Sequence, residues 1–345
     1  MHKYEHGGDV YEGDAPRIDF SININPLGMP PAAVEAIVSR TAEDVCYPDP
    51  HCRALTAAVE AHFSLPHGQV LCGSGSADLI FRLCAVLQPR DTLVTAPTFS
   101  EYARSALLCG SRVREYPLRE ADGWMADGGF LPAITADTDL VCLCNPNNPT
   151  GCLFPADWIA AVADRCEETG SFLLLDECFL PFTDGESAIG LLDTHPHLLI
   201  LRAFTKIYSM AGLRLGVLLG ADTALLAKIA RFGAAWSVST VAQRAGLAAL
   251  GDKDWIPRTK ALISEQRVHL TRELTALGLT VYPADGNFLL VKAPFDVDPP
   301  LRQRGLWVRR CENFTGLNDR FFRIGIRTEA DNQILIEALR EVLHG

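Results

Sequence analysis

The chain has 345 residues, 48% hydrophobic and 21% charged. That is too much apolar sequence for one simple core, suits a large domain plus a smaller one, and excludes wholesale disorder. The formal net charge of −11 repels phosphate backbones and excludes nucleic acid as an expected partner.

No apolar run approaches the ~18 residues needed to span a membrane. Met1-His2-Lys3-Tyr4-Glu5-His6 leads into Gly, Asp and Glu and holds no apolar signal core. The 11 cysteines are scattered, many inside apolar runs, with no C-x-x-C pair. They read as buried, reduced thiols, which implies a reducing compartment and excludes zinc or redox motifs. The expectation is a cytoplasmic protein without a membrane or a metal.

The first thirty or so residues are rich in Gly, Asp, Asn and Pro and read as an extended arm with turns. Pro30 and Pro31 then open a helix through Ala33, Val34, Ile37 and Val38. Helical stretches follow at 53–63, 77–87, 100–109, 155–168 and 222–232. Between them, strand-like runs fit 69–72, 92–95, 140–144, 171–175, 198–201 and 215–219. Phe172-Leu173-Leu174-Leu175 is apolar at every position, as a strand covered on both faces must be. The alternation predicts a layered α/β domain with a mostly parallel sheet. Beyond about 235 the pattern changes to a long helical region, 240–277, and strands near 279–283, 287–292 and 321–326. We read an arm over 1–35, a large domain over 36–235 and a smaller α+β domain over 236–345.

Ligands gather at the carboxyl ends of strands in such sheets, and four strand ends carry suggestive residues. Leu71-Cys72-Gly73-Ser74-Gly75-Ser76-Ala77-Asp78 turns from strand to helix through small residues, leaving N–H groups free to face an anion. Asn145-Pro146-Asn147-Asn148-Pro149-Thr150-Gly151 forms a stiff polar loop. Asp176 ends an apolar strand, where a partly desolvated carboxylate wants a positive partner. Lys206 sits among apolar and small residues, and burial favours the neutral amine that forms imines. Each feature alone also fits a plain turn, a cap or a surface lysine. The ordered set is what points to a site.

That set, N-P-N-N-P-T-G, then L-D-E, then T-K-x-x-x-x-A-G-L-R-L-G, resembles the class I/II aminotransferase group of fold-type I pyridoxal-phosphate enzymes. The resemblance implies that Lys206 holds pyridoxal 5'-phosphate as a Schiff base and that Asp176 pairs with the pyridine nitrogen. It implies Asn148 on the ring oxygen, and Arg214 with Ser76 and Ala77 on the cofactor phosphate. Phe99 would stack on the ring, and Arg323 would grip the substrate α-carboxylate as a bidentate fork.

Further motifs resemble the threonine-phosphate decarboxylase branch, beside the histidinol-phosphate aminotransferases. They are His6-Gly7-Gly8, Asp19-Phe20-Ser21-Ile22-Asn23-Ile24-Asn25-Pro26-Leu27-Gly28, Arg119-Glu120-Ala121-Asp122-Gly123-Trp124, Trp236-Ser237-Val238 and Arg309-Arg310-Cys311-Glu312-Asn313-Phe314-Thr315-Gly316-Leu317. By that branch, His6, Gly7, Asn23 and Arg309 bind a small phosphorylated amino acid, His6 and Arg309 at its phosphate. Tyr47 would cross to the partner of a homodimer with shared active sites. The implied reaction is decarboxylation of O-phospho-L-threonine or O-phospho-L-serine, for the nucleotide loop of a cobamide. The alternative is a histidinol-phosphate-type aminotransferase.

Two departures matter. Phe179 stands where many relatives carry a tyrosine that bonds the cofactor oxygen, and the decarboxylase branch shares the phenylalanine. Ala203 stands where Ser or Thr often bonds the cofactor phosphate; the resemblance leaves Thr205 to compensate.

Overall fold

The structure is a computed structural model and describes residues 6–11, 17–43 and 45–344. The opening residues 1–5 lie outside that set, as do 12–16 of the arm.

A seven-stranded sheet forms the centre. Its strands, in spatial order, are Val70–Gly73, Gly216–Gly220, Leu198–Ala203, Phe172–Asp176, Leu140–Cys144, Asp91–Ala96 and Arg112–Pro117. The five from Leu198–Ala203 to Arg112–Pro117 run parallel; Gly216–Gly220 runs antiparallel to both of its neighbours. The three central strands are buried at almost every position because helices cover both faces, which is why their sequence shows no alternation. Arg112–Pro117 escaped the sequence reading. It is an edge strand, largely exposed, and its charged Arg-Val-Arg-Glu-Tyr pattern carries no apolar run.

A four-stranded antiparallel sheet follows, ordered Arg309–Arg310, Phe321–Gly325, Phe288–Lys292 and Thr280–Val281. The strand Ile18–Asp19 of the arm pairs in parallel with Leu306–Trp307. The arm is therefore stitched to the C-terminal sheet region, and Gly325 N donates to Phe20 O at 2.8 Å. The expected helical run 240–277 is two helices, Thr240–Leu250 and Trp255–Ala276, broken around Gly251. Thr240–Leu250 packs on Pro31–Val38 and Arg53–Phe63. Trp255–Ala276 packs on the C-terminal helix Glu329–His344. Among the described residues no helix is long and apolar enough to cross a membrane.

Candidate active site

The strand Val70–Gly73 ends in a bare turn before the helix Ser76–Leu87. Gly75 takes φ +84°, and Asp78 Oδ2 accepts from Ser74 N at 2.8 Å, which fixes the turn. Opposite lies Arg214. A Cβ on Gly75 would stand 2.9 Å from Arg214 Nη2, and a Cβ on Gly216 would stand 2.9 Å from Ser76 N. Only glycine leaves this space open. A guanidinium facing a helix N-terminus across an open gap, with Thr205 in the same cavity wall, is a cradle for a phosphate.

Asp176 ends its strand buried. Its Oδ2 accepts the Tyr102 hydroxyl at 2.6 Å, and its Oδ1 accepts Cys178 N at 2.9 Å. Burial pushes its pKa up, while the Cys178 and Tyr102 donors pull the other way.

Lys206 lies on the short helical turn Phe204–Ile207 that follows the strand Leu198–Ala203. Burial, followed by repulsion from Arg323 and Arg214, lowers its pKa to about 8, against opposing pulls from Cys178 and Asp176. A substantial fraction of this amine is neutral just above neutral pH, the form that attacks a carbonyl.

Arg309 and Arg323 are register partners on adjacent antiparallel strands, only 3% and 6% exposed. Arg323 Nη1 donates to Asn148 Oδ1 at 2.5 Å and Nη2 to Ser21 O at 2.7 Å. Burial, then the charge of Arg309, brings the Arg323 pKa down to about 10. Arg309 donates to Asn313 Oδ1 at 2.9 Å and lies over the Phe314 ring. At the mouth, His6 Nε2 sits 2.9 Å from Glu101 Oε1, its ring 5.4 Å from Phe99. Hydrogen bonding to His6 lowers the Glu101 pKa, with the Arg104 charge helping.

Apart from Ser74, Gly75, Asp78, Gly216 and Asn313, the side chains named above line one cavity of about 370 Å³, which also takes in Gly7, Asn23 and Ala77. Asn23 is buried, and its Oδ1 has no partner among the described residues. Of the residues expected to bind cofactor or substrate, Tyr47 alone does not line the cavity. It is 79% exposed and stacks on Trp236 at 4.5 Å. Phe179 lines the cavity where a tyrosine donor would stand, and Ala203 lines it without a hydroxyl.

Several lining residues were given no role by the sequence: Ser21, Glu101, Tyr102, Arg104, Cys144, Cys178 and Phe314. Tyr102 and Glu101 follow Phe99 on the next helical turn, so the Pro-Thr-Phe-Ser-Glu-Tyr run was the available signal. A bare cradle for phosphate, a buried acid and a lysine with a lowered pKa in one cavity together fit pyridoxal phosphate.

Comparison with known proteins agrees. Residues 15–339 match the family aminotransferase class I and II. The chain is 38% identical to the threonine-phosphate decarboxylase of Salmonella typhimurium, over 99% of this chain and 97% of that one. The histidinol-phosphate aminotransferase of Clostridium acetobutylicum superposes with a TM-score of 0.88 at 28% identity, over 94% of this chain and 99% of that one. That of Sinorhizobium meliloti, solved in complex with pyridoxal-5'-phosphate, gives 0.87 at 25% identity, over 96% and 92%. The chain belongs to the aminotransferase class I and II family.

Proposed function

We propose that the protein is a pyridoxal-phosphate-dependent decarboxylase of O-phospho-L-threonine or O-phospho-L-serine, yielding an amino-alcohol phosphate for a cobamide nucleotide loop. One observation carries this reading. Four arginines line one cavity with Lys206; Arg104 pairs with Glu101 at its mouth, which leaves Arg214, Arg309 and Arg323 to meet anions. A phosphorylated amino acid beside this cofactor brings three anionic groups: the cofactor phosphate, the substrate carboxylate and the substrate phosphate. The similarity to a threonine-phosphate decarboxylase supports the same choice.

In this reading Lys206 would hold the cofactor through its aldehyde and Asp176 would face its ring nitrogen. Ser76, Ala77, Thr205 and Arg214 hold the cofactor phosphate, joined by Tyr47 from the partner of a homodimer. Asn148 would bond the ring oxygen and Phe99 would lie against the ring. Bound pyridoxal phosphate supplies an electron sink for the bond broken at the substrate Cα. Arg323 holds the substrate carboxylate. Arg309, with His6, Gly7 and Asn23, holds its phosphate end. These two anchors would fix the pose of the substrate Cα, and with it whether the carboxylate or the proton leaves. Lys206 returns a proton to Cα.

The same reading divides the chain into arm 1–35, large domain 36–235 and small domain 236–345. The homodimer draws support from the exposed pair Tyr47 and Trp236, with Val45 and Phe232 also exposed. Free cysteines throughout suit the cytoplasm.

The deciding experiment supplies pyridoxal phosphate and O-phospho-L-threonine and measures CO2. Histidinol phosphate with 2-oxoglutarate runs in parallel, with glutamate as the readout. Glutamate formed without CO2 sinks the decarboxylase and leaves the aminotransferase.

A further inference from the structure

Back to back with the active-site cavity lies a second cavity of about 190 Å³. The two share Ala203. Thr205 and Lys206 line the first; Phe204, Ile207 and Tyr208 line the second. One helical turn thus separates them.

The second cavity has an apolar wall that includes Phe63, Leu180, Val217 and Ile256. Its polar groups are few and converge. Arg202 is 9% exposed; it meets Glu177 Oε2 at 2.6 Å and Ser187 Oγ at 2.9 Å, yet its Nε has no partner among the described residues. Glu177 is further satisfied by Ser187 Oγ and Ala188 N, so this acid is saturated. Tyr208 is 5% exposed, and its hydroxyl bonds none of the described residues. Burial, with the charge of Asp252, pushes its pKa up to about 12, so it stays a donor. At the mouth stand His62 and Lys260, the latter 3.2 Å from a fully exposed Asp184 that screens it weakly. Donors and positive charge therefore exceed acceptors in an otherwise greasy hollow, the make-up of a small-molecule site.

We propose that this cavity binds a small monocarboxylate with a compact apolar body, the carboxylate meeting the Arg202 guanidinium and the Tyr208 hydroxyl. Glu177 follows Asp176 in the chain, and Arg202 leads through Ala203 into the Lys206 turn. A ligand here therefore presses on both segments that carry the chemistry, from outside the substrate cavity.

The test uses the cofactor-loaded protein with benzoate as the probe. Crystals soaked in benzoate are expected to hold it in the second cavity. Saturation-transfer NMR is expected to give millimolar binding that Ile256→Trp, filling the apolar wall, abolishes. Tyr208→Phe should weaken it roughly five-fold through loss of one hydrogen bond. Acetate, without the apolar body, should bind about ten-fold more weakly. Unchanged cofactor absorbance in Ile256→Trp establishes that the variant is folded and loaded. Benzoate absent from the cavity, seen only at Arg323, or bound equally by both variants overturns the proposal.

Discussion

The hydroxyl of Tyr102 donates to Asp176 Oδ2 over 2.6 Å, and both groups are buried. This bond favours the charged, accepting form of Asp176 and so opposes the burial that raises its pKa.

Tyr102→Phe removes that donor and leaves the carboxylate easier to protonate. A hydrogen bond to a charged group is worth about 1.5–3 kcal/mol, so the Asp176 titration should rise by about one pH unit or more. The acid limb of kcat against pH moves up accordingly, and the absorbance of the bound cofactor shifts with it. An unchanged acid limb refutes the role.

Lys206 carries a stability penalty. Its folded pKa, about 8, lies below the ordinary 10.5, so the unfolded chain binds a proton that the folded chain refuses. The penalty is full below about pH 8 and fades as pH rises toward 10.5. Lys206→Met should therefore stabilise the cofactor-free protein at pH 7, by up to roughly 3 kcal/mol. The gain should shrink by pH 9.5. Urea denaturation at the two pH values checks this. The same variant should lose all turnover and all borohydride-trappable cofactor.

The two buried arginines should separate by substrate. Arg309→Gln should lower kcat/KM for O-phospho-L-threonine by about a hundred-fold, the scale of one lost charged contact, while hardly altering unphosphorylated amino acids. Arg323→Gln should damage both. Equal losses from Arg309→Gln on both substrate types would remove it from the phosphate end.

Gly325 sets how closely the arm approaches the site. A Cβ there would collide with the Ile22 carbonyl, a backbone atom that can move only with the arm. Gly325→Ala should cost about 1–3 kcal/mol of stability. It should also raise KM, because displacing Ile22 shifts Ser21, whose carbonyl holds Arg323. A lowered Tm with an unchanged KM would show that the arm moves without disturbing Arg323.

The amino-acid sequence determined the alternation of strands and helices, because strands covered on both faces must be apolar at every position, as 172–175 is. Through the resemblance that its ordered motifs carry, it also pointed to Lys206, Asp176, Asn148 and Arg214, which the fold brings to one cavity. It was silent on Arg112–Pro117, whose exposed edge asks for no apolar pattern, and on the break near Gly251. Only the tertiary structure placed Tyr102 against Asp176 and Arg309 beside Arg323. It likewise set Ser21 from the arm under the Arg323 guanidinium. Those contacts join residues up to 302 positions apart. Their energies depend on burial and on which strands become neighbours, and no local preference along the chain encodes either.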